Sequence, residues 1–271
     1  MIPRDYITAW RAQAPWVEDF QVEQDLIICR ALVEIFSKPD LAAALAFRGG
    51  TALYKLFLMP ARYSEDIDLV QITAGPIGPT LTALREALDP WLGAPQWKQN
   101  EGRVTLSYRI ASEDTPPLRL RLKVEINSRE HFSVFGLTTV PFAVSSRWFE
   151  GAAPIVTYGL DELLGTKLRA LYQRRKGRDL FDLALALKQL DVRPERIIEA
   201  FSIYMEKEEN RVTRAMFERN LLGKLSNAQF TADIRPLLAA GYTWDMDDAA
   251  REVSSLLIER LPGEPWKCDQ A

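Results

Sequence analysis

The sequence predicts an α/β (α+β) fold: a mixed β-sheet with flanking helices in residues 1–159, followed by an all-helical C-terminal domain in residues 160–271. Three observations carry this. Up to Tyr158, segments in which apolar and polar side chains alternate are interleaved with segments of helical spacing. Beyond Tyr158 strand signals stop, and helical spacing continues to Leu261. The chain has 271 residues, which at roughly 100–200 residues per domain suits one large domain or two modest ones.

From Val17 to Phe36 the residues Phe20, Ile27, Ile28, Val33, Ile35 and Phe36 recur at helical gaps, and Pro39 stops the pattern. A second helix follows or spans Gly49-Gly50-Thr51. Asp66 to Ile72 reads as a strand, because Ile67 and Leu69 alternate with Asp66 and Asp68. Gly75, Pro76, Gly78 and Pro79 form a loop, and Thr80 to Leu92 resumes helical spacing up to Gly93. Val104 to Ile110 alternates as a half-buried strand. Leu118 to Ile126 is the clearest strand: Leu118, Leu120, Leu122, Val124 and Ile126 share one face, and Arg119, Arg121, Lys123 and Glu125 the other. Ile155 to Tyr158 forms one more short strand. The helical region that follows breaks near Gly177, Pro194, Gly223, Pro236 and Gly241. No internal repeat or low-complexity tract is visible.

Composition excludes several classes. With 47% hydrophobic and 26% charged residues, the chain is neither disordered nor a small disulfide scaffold. No apolar run approaches the roughly 20 residues of a membrane helix. Met1 to Arg11 has no apolar h-region, so a cytoplasmic protein with no membrane partner is expected. Two cysteines, Cys29 and Cys268, and one histidine, His131, cannot assemble the usual zinc frameworks. His131 has no matching elbow motif and reads as a surface or turn residue. Net charge is −3, from 34 basic and 37 acidic side chains. The whole-molecule field therefore does not favour polyanions, and any nucleic-acid contact requires locally concentrated basic residues.

The candidate chemistry begins at Ser64-Glu65-Asp66-Ile67-Asp68-Leu69. Two carboxylates two residues apart in a strand point to the same face, about 7 Å apart. They repel unless a cation joins them, and Mg²⁺ is commonly held by one or two carboxylates plus substrate phosphates. The alternative is a solvated strand face. Upstream, Gly49, Gly50 and Thr51 precede a helical stretch, and glycines there let backbone amides approach phosphate oxygens. Glu125 either completes a three-carboxylate metal site or pairs with Arg121 or Lys123. Ser64, beside the metal strand, is a candidate phosphate contact or modification site, and a phosphate on it would repel a triphosphate.

The second cluster runs from Lys167 to Leu183. Six basic residues lie from Lys167 to Arg178. Asp161 can cap a helix that Gly177 ends. Lys167 lies beside the buried stripe of Leu160, Leu163, Leu164 and Leu171, from where an amine reaches a cleft. Asp179 and Asp182 fall among Leu180, Phe181 and Leu183, where an unpaired carboxylate is costly. A purely structural arrangement would pair Arg178 with Asp182.

Together, Phe47-Arg48-Gly49-Gly50-Thr51-Ala52-Leu53, Arg62-Tyr63-Ser64-Glu65-Asp66-Ile67-Asp68-Leu69, Lys167-Leu168-Arg169-Ala170-Leu171 and Lys176-Gly177-Arg178-Asp179-Leu180-Phe181-Asp182-Leu183 resemble the AbiEii/AbiGii family of nucleotidyltransferase toxins, in the DNA polymerase β-like nucleotidyltransferase superfamily. The resemblance covers about Val17 to Leu190, in the family's order. It implies a nucleotidyltransferase-like mixed sheet, a helical domain completing the active-site cleft, and a Mg²⁺ (or Mn²⁺)-nucleoside triphosphate as substrate. It further implies a toxin of a type IV toxin–antitoxin system linked to phage defence by abortive infection, with a cognate antitoxin from a neighbouring gene. The expected acceptor is the 3′ end of tRNA, whose modification blocks translation.

Carried over residue by residue, the resemblance implies that Gly50 and Thr51 contact triphosphate, and Gly49 and Ser64 beside them complete the candidate nucleotide contacts. Asp66 and Asp68 hold metal, and Glu125 is a further metal ligand. Lys167 neutralises triphosphate charge, and Asp179 or Asp182 supplies the last acidic residue. Two basic groups, Arg119, Arg121 and Lys123, and Arg174, Arg175, Lys176 and Arg178, are candidates for gripping an RNA backbone through phosphates. Arg169 lies beside the second group. Transfer to a small molecule or protein hydroxyl, and a non-catalytic nucleotide-binding regulatory module, are the competing readings.

Overall fold

A computed structural model describes residues 2–267; Cys268 lies outside the described residues. The chain divides into two compact units, one ending at Tyr158 and one beginning at Gly159. In the first, the order is α1 (Arg4–Trp10), α2 (Asp19–Phe36), α3 (Pro39–Ala44), β1 (Leu45–Arg48), α4 (Gly49–Leu56), β2 (Asp66–Gln71), α5 (Gly78–Leu92), β3 (Gln96–Asn100), β4 (Arg103–Ala111), β5 (Arg119–Asn127), β6 (Leu137–Ser145) and β7 (Glu150–Tyr158). The second contains α6 (Leu160–Gln173), α7 (Gly177–Gln189), α8 (Pro194–Lys207), α9 (Arg214–Leu225), α10 (Ala228–Ala232) and α11 (Met246–Leu256).

The strands form one seven-stranded sheet in the order β3-β4-β5-β2-β1-β7-β6. It is mixed, as expected: β1 runs antiparallel to β2 and parallel to β7, and β2 runs parallel to β5. The alternation in β5 is realised from Leu120 on, with Leu120, Leu122, Val124 and Ile126 buried, whereas Leu118 precedes the strand and is exposed. Helix α2 is buried almost all round, through Val22, Leu26, Ile27, Ile28, Leu32 and Ile35 among others. The helix also takes the polar Gln21, Glu23, Gln24 and Asp25 inside. In the helical unit, α6 packs against α7 and α8, and α7 also against α11. Among the described residues no helix is long and apolar enough to cross a membrane.

Several elements differ from expectation. β1, β3 and β6 are additional strands, and β7 begins at Glu150 rather than Ile155. Gly223 does not break the chain: α9 runs through it, started by the Thr213 hydroxyl, which accepts from the Met216 N–H. Gly177 opens α7 instead of ending α6. Its lack of a side chain serves packing, since a Cβ there would lie 2.2 Å from the Phe230 carbonyl oxygen on α10. Asp161 does not cap α6, whose N-cap is Gly159. Its carboxylate instead accepts from the backbone N–H and Nε of Arg193, at 3.0 and 3.1 Å.

Candidate functional site

The first group of site residues is assembled where β1 turns into α4. The chain leaves Arg48 extended and reverses at Gly49, whose φ is +82°. That conformation is readily available only to glycine. A second constraint acts there, because a Cβ on Gly49 would lie 2.3 Å from Asp68 Oδ2. Arg48 and Asp68 are register partners across β1 and β2. The pairing thus presses the Asp68 carboxylate against the turn that opens α4. The first N–H groups of a helix have no partner within it and carry the positive end of its dipole, so this turn suits an anion.

Thr51 is buried, and its hydroxyl donates to the Asp66 carbonyl at 2.5 Å and shares a 2.8 Å hydrogen bond with Ser64 Oγ. The hydroxyl therefore ties α4 to the start of β2, which leaves the backbone N–H as the group Thr51 offers to an anion. Ser64 is half-buried at the same junction.

Parallel pairing of β2 with β5 sets Asp66 opposite Lys123 and Asp68 opposite Glu125, so the four side chains share one face of the sheet. Lys123 Nζ lies 2.7 Å from Glu125 Oε2 and 4.0 Å from Asp66 Oδ2. Arg103 Nε is 3.2 Å from Glu125 Oε1. Burial pushes the Asp66 carboxyl up to about 6; Lys123 opposes this, while Asp68, Glu65 and Glu125 add to it. Burial lowers Lys123, but its hydrogen bond to Glu125 and the charge of Asp66 outweigh that and raise it. This face thus surrounds Asp66 with acids, and Arg103 joins Lys123 in partnering Glu125. Its donors are carboxylate oxygens, which suits a hard divalent cation. Among the described residues no group of three or more acidic, histidine or cysteine side chains is drawn together as a metal cage. Asp66 and Asp68 can hold such an ion with oxygens of substrate and water completing its shell.

The helical unit assembles the second group. Lys167 on α6 reaches Asp179 Oδ1 at 3.2 Å and Asp182 Oδ2 at 2.9 Å on α7. Arg174 closes a two-pronged contact on Asp179 through Nε at 2.6 Å and Nη2 at 2.8 Å. Both carboxylates are fully buried, and Lys167 nearly so. Burial pushes Asp179 up, but Lys167 and Arg174 outweigh it and hold the carboxyl below its ordinary value. Arg178 does not pair with Asp182; together with Lys176 it turns to Asp233, at 3.7 and 3.4 Å. The cause is that Asp182 points inward to Lys167, while Asp233 follows α10, which packs on Gly177.

Of the basic residues expected to be available for RNA, Lys123, Arg174, Lys176 and Arg178 are thus engaged by acids of their own unit. Arg119, Arg121 and Arg175 are exposed. Arg169 pairs with Glu208 at 3.3 Å and lies over the Tyr204 ring. His131 bonds the Gln71 carbonyl through Nδ1 at 2.9 Å.

Sequence reasoning passed over three features. Arg62 is buried beside Gly50. Arg48 pairs with Glu130 at 2.5 Å. Lys55 on α4 pairs with Asp25 on α2, and Asp25 also accepts from the indole N–H groups of Trp10 and Trp16. The available signal was an arginine two residues before Ser64, in an otherwise apolar stretch.

The family model for nucleotidyl transferase AbiEii toxins of type IV toxin–antitoxin systems matches residues 30–252. Among solved structures, the chain is similar to the nucleotidyltransferase toxin MenT4 from Mycobacterium tuberculosis, with TM-score 0.67 and 17% identity over 97% of this chain and 91% of that one. It is also similar to JHP933 from Helicobacter pylori, with TM-score 0.54 and 16% identity over 88% of this chain and 90% of that one. No curated protein matches it. At these identities the structures speak for the fold, whereas the family match spans most of the chain, including both carboxylate groups. The chain belongs to the AbiEii family of nucleotidyltransferase toxins.

Proposed function

We propose that this toxin transfers a nucleotide from a nucleoside triphosphate to an RNA hydroxyl, at the 3′ end of tRNA, with Mg²⁺ or Mn²⁺ held by Asp66 and Asp68. The observation that carries the reading is the contact of the Asp68 carboxylate with the Gly49 turn, because it sets a cation-attracting group directly beside an anion-attracting one. A metal–triphosphate is a ligand with both charges. Bound there, a divalent cation would offset charge on the phosphate oxygens and help ionise the acceptor hydroxyl.

The chain's own groups divide the remaining work. The first N–H groups of α4 and Ser64 receive the terminal phosphates, and Thr51 keeps α4 in place against β2. The acceptor oxygen bonds to the α-phosphorus, the bond to pyrophosphate breaks, and the hydroxyl proton passes to solvent. Lys167 would stabilise the departing charge, held in position by Asp179 and Asp182. Glu125, already paired with Lys123 and Arg103, acts on this reading as a charge partner beside the metal ligands more than as a ligand. Arg119, Arg121 and Arg175 contact the RNA backbone, and a separate antitoxin restrains the toxin, in the cytoplasm, as part of phage defence by abortive infection.

One observation favours a second reading. With four of seven candidate RNA-binding residues engaged internally, the same transfer chemistry suits an acceptor smaller than RNA, or a protein hydroxyl. Incubation with Mg²⁺, total RNA and each α-labelled triphosphate in turn separates the two. Label in a tRNA-sized band, absent from Asp66→Ala and Asp68→Ala variants, is the expected outcome. Label confined to protein or to a small product would replace the RNA assignment.

A further inference from the structure

Gln24 stands on the second turn of α2 and is only 3% exposed. A buried carboxamide is costly unless its groups are bonded. Its Nε2 donates to two backbone carbonyls, that of Glu65 at 3.4 Å and that of Arg121 at 3.2 Å. An amide nitrogen has two hydrogens, so each carbonyl receives one. The two carbonyls lie where β2 and β5 come together. The first register pair of these strands is Asp66 with Lys123. Two residues earlier on β5, Arg121 is level with Ser64, where β2 has not begun. The ladder between the two strands ends there, and the Gln24 amide bridges the two chains beyond it.

The consequence falls on Asp66. The Glu65 carbonyl belongs to the peptide plane before the Asp66 Cα, and the Asp66 carbonyl to the plane after it. The first is held by Gln24 on α2, and the second by the Thr51 hydroxyl on α4 at 2.5 Å. A residue has only two soft backbone dihedrals, so fixing both planes fixes the direction in which its side chain leaves the chain. The Asp66 carboxylate thus departs from a backbone clamped by two helices. Asp68, two residues on, is set differently, by pairing with Arg48 and by the Gly49 turn. The bond to Arg121 adds a further restraint. It ties the plane before Asp66 to β5 two residues ahead of Lys123, whose Nζ stands 4.0 Å from Asp66 Oδ2.

We propose that Gln24 is a positioning residue for nucleotide transfer: its amide holds the peptide before Asp66 and so aims the carboxylate at the divalent cation. This rests on the assignment of that cation to Asp66 and Asp68 above. On this reading Gln24 touches neither nucleotide nor metal and acts through the backbone of β2. A reacting centre misplaced by about 1 Å can lose about 10²-fold in rate. Two ordinary hydrogen bonds at this point therefore weigh more in rate than in stability.

The test follows three quantities in the full chain: Mn²⁺ affinity without nucleotide, transfer kinetics with the most active of the α-labelled triphosphates, and denaturant midpoints. Gln24→Met keeps the shape and removes both donors. It should raise the Mn²⁺ Kd at least about threefold and lower kcat about tenfold, with the triphosphate KM within about twofold of wild type. Gln24→Glu turns acceptor oxygens toward the two carbonyls and should lose at least as much. Gln24→Asn keeps an amide that is one carbon too short to bridge both carbonyls. It should show the same losses as Gln24→Met, and it carries the test if Gln24→Met does not fold. Ile35→Val is a buried change about three turns further along α2. It should lower the denaturant midpoint and leave Mn²⁺ affinity and kcat unaltered, which separates aiming of Asp66 from loosening of the helix. Wild-type Mn²⁺ affinity and kcat in a folded Gln24→Met, or in Gln24→Asn where Gln24→Met does not fold, overturns the proposal; so does equal loss in Ile35→Val. Failure of the wild type to bind Mn²⁺, or binding that survives Asp66→Ala combined with Asp68→Ala, would instead remove the metal assignment itself.

Discussion

The protein crowds carboxylates in two places and neutralises them differently. On β2 and β5, Asp66, Asp68 and Glu125 share a face with Lys123, and Asp66 is pushed up to about 6, chiefly by burial. On α7, Asp179 and Asp182 are more deeply buried, yet Asp179 is held below its ordinary value because Lys167 and Arg174 reach it. The same residue type shifts in opposite directions, so burial alone does not decide the outcome. What decides is how closely cations reach the carboxylate: Lys123 stands 4.0 Å from Asp66, with other acids around it, whereas Lys167 and Arg174 contact Asp179 directly.

The sharpest way to break this contrast is to remove acids from each cluster and compare function with stability. Asp66→Ala combined with Asp68→Ala should lower transferase activity by about 10⁴-fold, equivalent to roughly 5.5 kcal/mol of transition-state stabilisation. The Asp66→Ala single variant should lose little stability, because the fold disfavours ionisation of Asp66 and the charged form contributes no net stability there. Transfer rates with each α-labelled triphosphate, read beside denaturant midpoints, measure both. Asp182→Ala should behave oppositely in denaturation, costing about 3–5 kcal/mol by leaving Lys167 buried with one partner fewer. Equal stability losses in the two variants would dissolve the distinction.

A smaller effect probes the contact that joins turn to carboxylate. Gly49→Ala forces a left-handed conformation on a residue with a side chain, at about 1–2 kcal/mol. The new methyl must also displace the Asp68 carboxylate, which would stand 2.3 Å from it. Divalent-cation affinity, followed by titration of Mn²⁺, should therefore fall by more than the stability loss accounts for. Undisturbed Mn²⁺ binding would show that Asp68 does not need its present position.

The two clusters also differ in how far sequence discloses them. β2, β4 and β5 are legible because one face of each is buried and the other is not, which writes alternation into the residues. β1 has four residues, the first three buried, and so reads as part of a longer apolar run. β3 is exposed throughout and carries no pattern. β6 interrupts its alternation with exposed Thr138 and Thr139 and with Pro141. At the site, Gly49, Ser64 and Asp68 are separated only by α4 and a return loop, so their approach follows from short connections. That Glu125 faces Asp68 depends on strand register, and that Arg62 lies on Gly50 depends on side-chain packing. Neither leaves a periodic trace. Lys167 is legible as a lysine on an apolar stripe, but the acids that hold it belong to a different helix.

The subtlest expectation concerns a lysine that extends the helical cluster. Lys224 on α9 is buried and donates to the carbonyl oxygens of Leu171 and Tyr172, near the end of α6. Burial lowers it to about 8, opposed by the charge of Asp179 and assisted by that of Arg175. Its folded value thus lies below the ordinary 10.5. Between those limits the unfolded chain keeps a proton that the folded chain has released, so stability rises with pH across that window and not below it. Relative to Lys224→Met, which removes the titration, the wild type should gain stability as pH is raised from about 8 to 10.5, in denaturant melts at fixed ionic strength. The neutral amine still carries two N–H bonds for the two carbonyls, so the end of α6 need not loosen as the proton leaves. A flat difference between the two proteins across that window would mean that Asp179, although balanced by Lys167 and Arg174, still has enough charge to keep a third cation protonated.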